Sequence, residues 1–296
     1  MIKIGLIGTL SMHAWSFAEA CNVPDENGNY RNGDTRVTAL WGVDDTEEHI
    51  KFTIEKGGNV PVAVNSLEEL CEKCNAFMIL GRNGSEHLGY AEEIIKKGYP
   101  VFIDKPVCSS VSDIKRLKEL AEKYDNVILG GSGLKHIKDI KGLKEKIKKG
   151  DFGVIRGATV NHSADIDCPY EGIFFYLPHA VEVMLELFGY DPVSVNTTVL
   201  SNDNFTVCVK YPDKLVNLAI SSCRPSYVVI NGEKSEAVEI DSADIFRDEM
   251  KAFVKAVEEN NPCKDISKLT EHVSVILAVN ESIKTKGEVM IDKYRV

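Results

Sequence analysis

Over roughly the first 130 residues, short apolar runs alternate with amphipathic stretches. Lys3–Gly8, Arg36–Trp41, Ala76–Leu80, Val101–Ile103 and Val127–Leu129 are compact and apolar, as parallel strands buried on both faces should be. Helical spacing fills the gaps between them. Ser66 with Glu69 forms a capping box opening one helix. Leu88, Ala91, Ile94 and Ile95 make the inner stripe of another, which Gly98 ends, and Ile114, Leu117, Leu120 and Ala121 mark a third. Strand–helix alternation of this kind predicts a doubly wound, right-handed parallel sheet of the Rossmann type.

The pattern changes near residue 152. Strand-like segments then follow one another closely: Val154–Val160, Ser194–Leu200, Phe205–Tyr211, Leu215–Ser221 and Tyr227–Asn231. The run "CVKYPDKLVNLAI" reads as a hairpin turning at Pro212 and Asp213. Phe246, Met250, Phe253, Val254 and Val257 define one closing helix, and Val273, Ile276, Leu277 and Ile283 another, which Gly287 stops. The expectation is an α+β domain on a mainly antiparallel sheet, with the chain dividing into residues 1–125 and 126–296. The segments "TTVL", "TVCVKY" and "VNLAIS" give that sheet two apolar-leaning faces, which predicts a homodimer or homotetramer through the face its own helices leave open. The polar stretch "NVPDENGNYRNGDTR" predicts a surface loop away from any ligand.

Composition removes several function classes. With 35 basic and 45 acidic residues in 296, the net charge is −10 and no basic block stands out, so nucleic acid is not an expected partner. No apolar run reaches membrane-spanning length and the N-terminus lacks a signal-peptide layout, which predicts a cytoplasmic protein that engages no membrane. Eight cysteines (Cys21, Cys71, Cys74, Cys108, Cys168, Cys208, Cys223 and Cys263) are scattered through the chain as reduced thiols would be. Cys71 and Cys74 form a C-x-x-C inside a helical segment with no second pair at zinc-site spacing, so they read as helix-face thiols and no metal is expected.

In a doubly wound sheet, ligands bind outside the C-terminal ends of the strands, and three such ends carry suggestive chemistry. The first is Gly8–His13, where Gly8 can make the tight turn and Thr9 and Ser11 offer hydroxyls and N–H groups at a helix N-terminus. A G-x-G-x-x-G turn would place glycines where Leu10 and His13 stand, so a plain strand–helix turn capped by Ser11 is an equal reading of this segment alone. At the second end Gly42 takes the place of a ribose-binding acid, and Asp44 and Asp45 follow without a neighbouring cation, favouring NAD over NADP. At the third, "VFIDKP" sets Lys105 between Asp104 and Pro106 at the ligand edge of the sheet.

With these residues the chain resembles the Gfo/Idh/MocA family of nicotinamide-dependent oxidoreductases. The Asp-Lys-Pro of Asp104–Pro106 is similar to that family's Glu-Lys-Pro, and the preceding "NAFMILGRNGSEHLGYAEEIIKKGYPVFIDKP" to its strand–loop–helix–strand unit. "FYLPHAVEVMLELFG" resembles the family's D-x-G-x-H helix, with His179 in the histidine position, and the final helices match to a Ser-x-x-x-x-Gly-x-Val ending. The resemblance implies hydride transfer between NAD(H) and a secondary alcohol or ketone of a sugar, polyol or related small molecule. It implies His179 as base and Lys105 as the cation for a developing alkoxide. It also implies cofactor contacts from Gly8, Thr9, Leu10, Ser11, His13, Asp44, Gly81, Arg82, Asn83, His87, Asp104 and Lys105, and substrate contacts from His162, Asp165 and Tyr176. The family aspartate four residues before the histidine is Phe175 here, and Tyr176 is a substitute if the turn is helical. A non-catalytic nucleotide or ligand sensor that kept the fold is the alternative. His49, His136 and His272 receive no role.

Overall fold

A computed structural model describes residues 1–222 and 225–296; Cys223 lies outside the described residues. The chain runs β1 (Ile2–Ile7), α1 (Met12–Asn22), β2 (Thr35–Trp41), α2 (Glu47–Lys56), β3 (Val62–Val64), α3 (Leu67–Lys73), β4 (Ala76–Ile79), α4 (Gly84–Lys96), β5 (Val101–Asp104), α5 (Val111–Lys123) and β6 (Ile128–Gly131). It continues through α6 (Lys138–Lys149), β7 (Gly157–His162), α7 (Leu177–Phe188), β8 (Ser194–Ser201), β9 (Asn204–Lys210), β10 (Leu215–Ile220), β11 (Tyr227–Asn231), β12 (Ser235–Glu239), α8 (Ile245–Glu258), α9 (Ile266–Thr285) and β13 (Val289–Met290). Among the described residues no helix is long and apolar enough to cross a membrane.

Two compact units emerge. The first comprises residues 1–107, 116–130 and 244–266; the second comprises 108–115, 131–243 and 267–296. A single cut at 125/126 does not describe them, because α8 packs on α1 within the first unit although it lies late in the chain. The reason is its apolar stripe: Met250, Phe253 and Val254 join a core with Ile4, Leu6, Phe17, Leu40 and Phe102.

The first unit holds a six-stranded sheet in the order β3-β2-β1-β4-β5-β6, the Rossmann arrangement. β1 pairs in parallel with both β2 and β4, so the strand order reverses at its C-terminal end. β4 and β5 are buried along their whole length, which is why they read as unbroken apolar runs. β3 has only three residues, too few to show a period.

The second unit is built on a seven-stranded sheet ordered β12-β11-β7-β10-β9-β8-β13. Its pairings are antiparallel except β7 with β10, which run parallel. β7 begins at Gly157 rather than Val154; Val154 follows the Gly150–Gly153 turn and is 60% exposed. The lysine-rich α6 escapes a sequence reading because few apolar residues mark its inner face, chiefly Ile140 and Leu143. The expectation of two apolar sheet faces is corrected. Val207, Val209, Val216 and Leu218 form one buried apolar face, while their neighbours Asn196, Thr198, Thr206 and Asn217 make the other largely polar. Strict alternation along β9 and β10 produces this split.

Candidate active site

The nucleotide-side residues lie in the first unit, where β1 passes into α1. Gly8 adopts φ +86°, and a Cβ there would come within 3.2 Å of the Gly81 backbone N, so the turn needs glycine at this position. Its N–H donates to the Trp41 carbonyl at 2.9 Å, tying the turn to the end of β2. Ser11 caps α1 by accepting from the His13 N–H at 3.2 Å. No acid lies in the first turn of this helix, so its positive end is not neutralised from within. Arg82 donates to the Leu10 carbonyl, which places a guanidinium against the same turn. Leu10 and Met12 are well exposed there. An N-terminal turn of this kind, uncapped by carboxylate and flanked by a cation, fits a dinucleotide's pyrophosphate.

Two expected contacts are used differently. The Thr9 side chain is buried and donates to Asp45 at 2.6 Å, so its hydroxyl points into the protein. Asp45 is also held by His49 and by the Thr46 N–H. Burial alone would raise the Asp45 pKa, but these hydrogen bonds together hold it below its ordinary value. Asp45 therefore braces the phosphate turn, and the exposed carboxylate beside it is Asp44. His49, given no role from sequence, is part of that brace.

His13 stands where a third glycine was expected, and the structure gives it a partner. Its Nδ1 lies 2.6 Å from Oδ2 of Asp104, while Oδ1 of the same carboxylate accepts from the Lys105 N–H at 2.8 Å. Burial of Asp104 acts to raise its pKa, yet His13 and Lys105 outweigh this and leave it lowered. The His13 ring sits edge-on to Phe246 at 4.9 Å between centroids. The aspartate of Asp-Lys-Pro and the histidine of the glycine-poor turn thus form one linked pair beside Lys105, which is 4% exposed. His87 does not line the cofactor edge as expected. It is fully buried, with Nδ1 2.8 Å from the Pro106 carbonyl and Nε2 3.0 Å from the Gly81 carbonyl, bracketing the two loops that follow β4 and β5. Asn83 is the N-cap residue of α4, and its amide donates to Glu86 at 2.9 Å.

The second unit carries His162, Tyr176 and His179. His162 ends β7 and places Nδ1 2.9 Å from the Ser163 carbonyl. A carbonyl only accepts, so the hydrogen of His162 sits on Nδ1. Its ring lies 5.2 Å from that of His179, in the first turn of α7. Tyr176 is the N-cap residue of α7, 40% exposed, and its ring is 6.2 Å from the His179 ring. Tyr176 and His179 therefore share a face, as a helical turn requires. Phe175, where the resemblance places an aspartate, packs between Tyr170 and Tyr176 at 5.0 and 4.7 Å between ring centroids. Asp165 accepts from the Asp167 N–H at 2.8 Å and shapes its own loop.

Sequence reading missed what stands behind His179. Its Nδ1 is 2.7 Å from the Ser132 hydroxyl. Glu182, buried on α7, accepts from the Ser132 N–H at 2.7 Å and from Lys135 at 2.8 Å, with His272 Nδ1 3.7 Å away. An acid flanked by apolar residues in "HAVEVMLELF" was the available signal for Glu182, and a strand end was the signal for Ser132. The C-x-x-C cysteines are ordinary thiols: burial raises the pKa of both Cys71 and Cys74, the opposite of a reactive thiolate.

Fold and turn together define the class, a Rossmann domain followed by a second domain on a mixed, mainly antiparallel sheet. Residues 2–132 match the family model described as "Oxidoreductase family, NAD-binding Rossmann fold". No curated protein matches the sequence. Among solved structures, scyllo-inositol dehydrogenase from Lactobacillus casei with bound NAD(H) and scyllo-inositol is 15% identical, with a TM-score of 0.83 over 99% of each chain. Myo-inositol dehydrogenase from the same organism, in complex with NAD(H) and myo-inositol, is 16% identical, with a TM-score of 0.81 over 98% of this chain and 96% of that one. An oxidoreductase from Agrobacterium radiobacter, in complex with NAD+, L-tartaric acid and magnesium, is 13% identical, with a TM-score of 0.79 over 99% of each. At these identities the likeness is one of fold.

Proposed function

We propose that the protein is an NAD-dependent dehydrogenase acting on a secondary alcohol of a polyol, sugar or related small molecule. The observation that carries this reading is the Rossmann turn, open to a dinucleotide at the N-terminus of α1; within the second unit, His179 is an imidazole oriented by Ser132. Gly8, the N–H groups of residues 9–11 and Arg82 would hold the pyrophosphate, Asp44 the ribose, and the loop at Gly81–Asn83 the edge nearer β4. When bound, NAD supplies the hydride acceptor. The chain's own residues handle the proton and the charge. His179 Nε2 accepts the hydroxyl proton as hydride departs. The Lys105 ammonium supplies the positive charge that a developing alkoxide needs. His162 and Tyr176 orient neighbouring hydroxyls, and Asp165 does so through its loop.

A homodimer or homotetramer through the open sheet face belongs to the same proposal, supported by the exposed Leu215 and Tyr227 on β10 and β11. A cytoplasmic setting is supported by the described cysteines, all of which are free. The test of function is reduction of NAD followed at the nicotinamide absorbance over a panel of inositols, sugars and hydroxy acids. The non-catalytic sensor is favoured by one observation, the aromatic Phe175 in place of a carboxylate. NADH binding without turnover across the panel would establish it.

A further inference from the structure

We infer that Ser132 is the positioning residue that fixes the tautomer of His179, and that the buried Glu182–Lys135 pair holds Ser132 in place to do so. The inference rests on His179 acting as base. An imidazole can take a proton at Nε2 only if its resting hydrogen is on Nδ1, and a neutral ring left to itself distributes between both tautomers.

The atom facing Nδ1 is the Ser132 hydroxyl oxygen, 2.7 Å away and fully buried. A hydroxyl has two acceptor lone pairs. One serves the Leu134 N–H at 3.3 Å, and the other accepts from Nδ1–H. The same contact suits the imidazolium formed once Nε2 is protonated, since Nδ1 then still donates. Ser132 is thus a partner for His179 before and after proton transfer, without movement.

The serine is itself held through its backbone. Its N–H donates to Glu182 Oε1 at 2.7 Å, and the other Glu182 oxygen takes the Lys135 ammonium at 2.8 Å. Gly131, immediately before it, has φ +86°, and a Cβ there would collide with the Glu182 carboxylate. Glu182 and His179 lie one turn apart on α7. One buried carboxylate thereby registers the strand end carrying Ser132 against the helix carrying the imidazole. This gives a charged group in an apolar helix a purpose that packing alone does not.

The test uses the full chain labelled with ¹⁵N-histidine, the His179 signals being assigned by their loss in His179→Asn. At a pH where the ring is neutral, the ¹⁵N shifts should show Nδ1 protonated and Nε2 bare. In Ser132→Ala that pattern should give way to a tautomer mixture, with the thermal unfolding midpoint little changed. With NAD and the inositols as probes, kcat should fall about 10-fold, the equivalent of one lost hydrogen bond, while the dissociation constant for NADH stays the same. Ser132→Thr, which keeps the hydroxyl, should restore the wild-type ¹⁵N pattern. An Nε2-protonated ring in the wild type, or an unaltered pattern in Ser132→Ala, overturns the inference. A fixed Nδ1–H tautomer that Ser132→Ala abolishes, in a chain that turns over nothing, supports the positioning role and counts against the dehydrogenase reading instead.

Discussion

Lys105 and His179 carry different parts of the proposed reaction, and their variants should separate from cofactor binding. Lys105→Met should lower turnover by about 10²-fold, as removal of an electrostatic stabiliser does. His179→Ala should cost about 10²–10⁴-fold, the range for a general base. Fluorescence titration should show NADH affinity little changed in both, and a parallel collapse of binding would reassign them to the cofactor site. Tyr176→Phe should reduce turnover if its hydroxyl does the missing aspartate's work, while Phe175→Asp should not raise it; the reverse outcome would make Phe175 a lesion. The His13–Asp104 pair has a pH signature. Asp104 has a depressed pKa, so its stabilising contribution is present above the ordinary carboxylate range and is lost as pH falls through it. The stability gap between wild type and Asp104→Asn, read by urea unfolding, should therefore be largest near neutrality and shrink below about pH 4. Lys105 and His179 were legible because each sits in a recognisable segment, one at a strand end and one opening an apolar helix. Ser132 and the use of Thr9 and His87 were not, since hydrogen bonds spanning 47, 36 and 19 residues leave no local pattern.

At the level of elements, the end of β6 is tightly constrained. Gly131→Ala should destabilise the protein by more than about 1 kcal/mol, because a side chain is strained at that positive φ and meets Glu182 as well. Chemical denaturation would detect it; a neutral effect would mean that Glu182 is free to move and registers nothing. Strands β4 and β5 were readable because burial on both faces makes them almost wholly apolar. β3 and α6 were not, one for shortness and the other because two buried apolar residues in a lysine-rich helix are a faint stripe. The late return of α8 to the first unit is a tertiary fact: its own sequence shows an apolar face but not which sheet that face will cover.

For the whole molecule, exposed Leu215 and Tyr227 on the otherwise largely polar open sheet face support self-association, and light scattering at micromolar concentration should give a multiple of the 32.8 kDa chain mass; a monomer contradicts it. The central claim is that a turn keeping only its first glycine still holds NAD, with His13 paired to Asp104 and Arg82 on the Leu10 carbonyl in place of the lost glycines. Calorimetric titration of the purified protein with NADH and, separately, NADPH tests it most directly. Saturable binding of one NADH per chain, tighter than NADPH, is the expected result. No binding of either dinucleotide, or tighter binding of NADPH, would contradict the account.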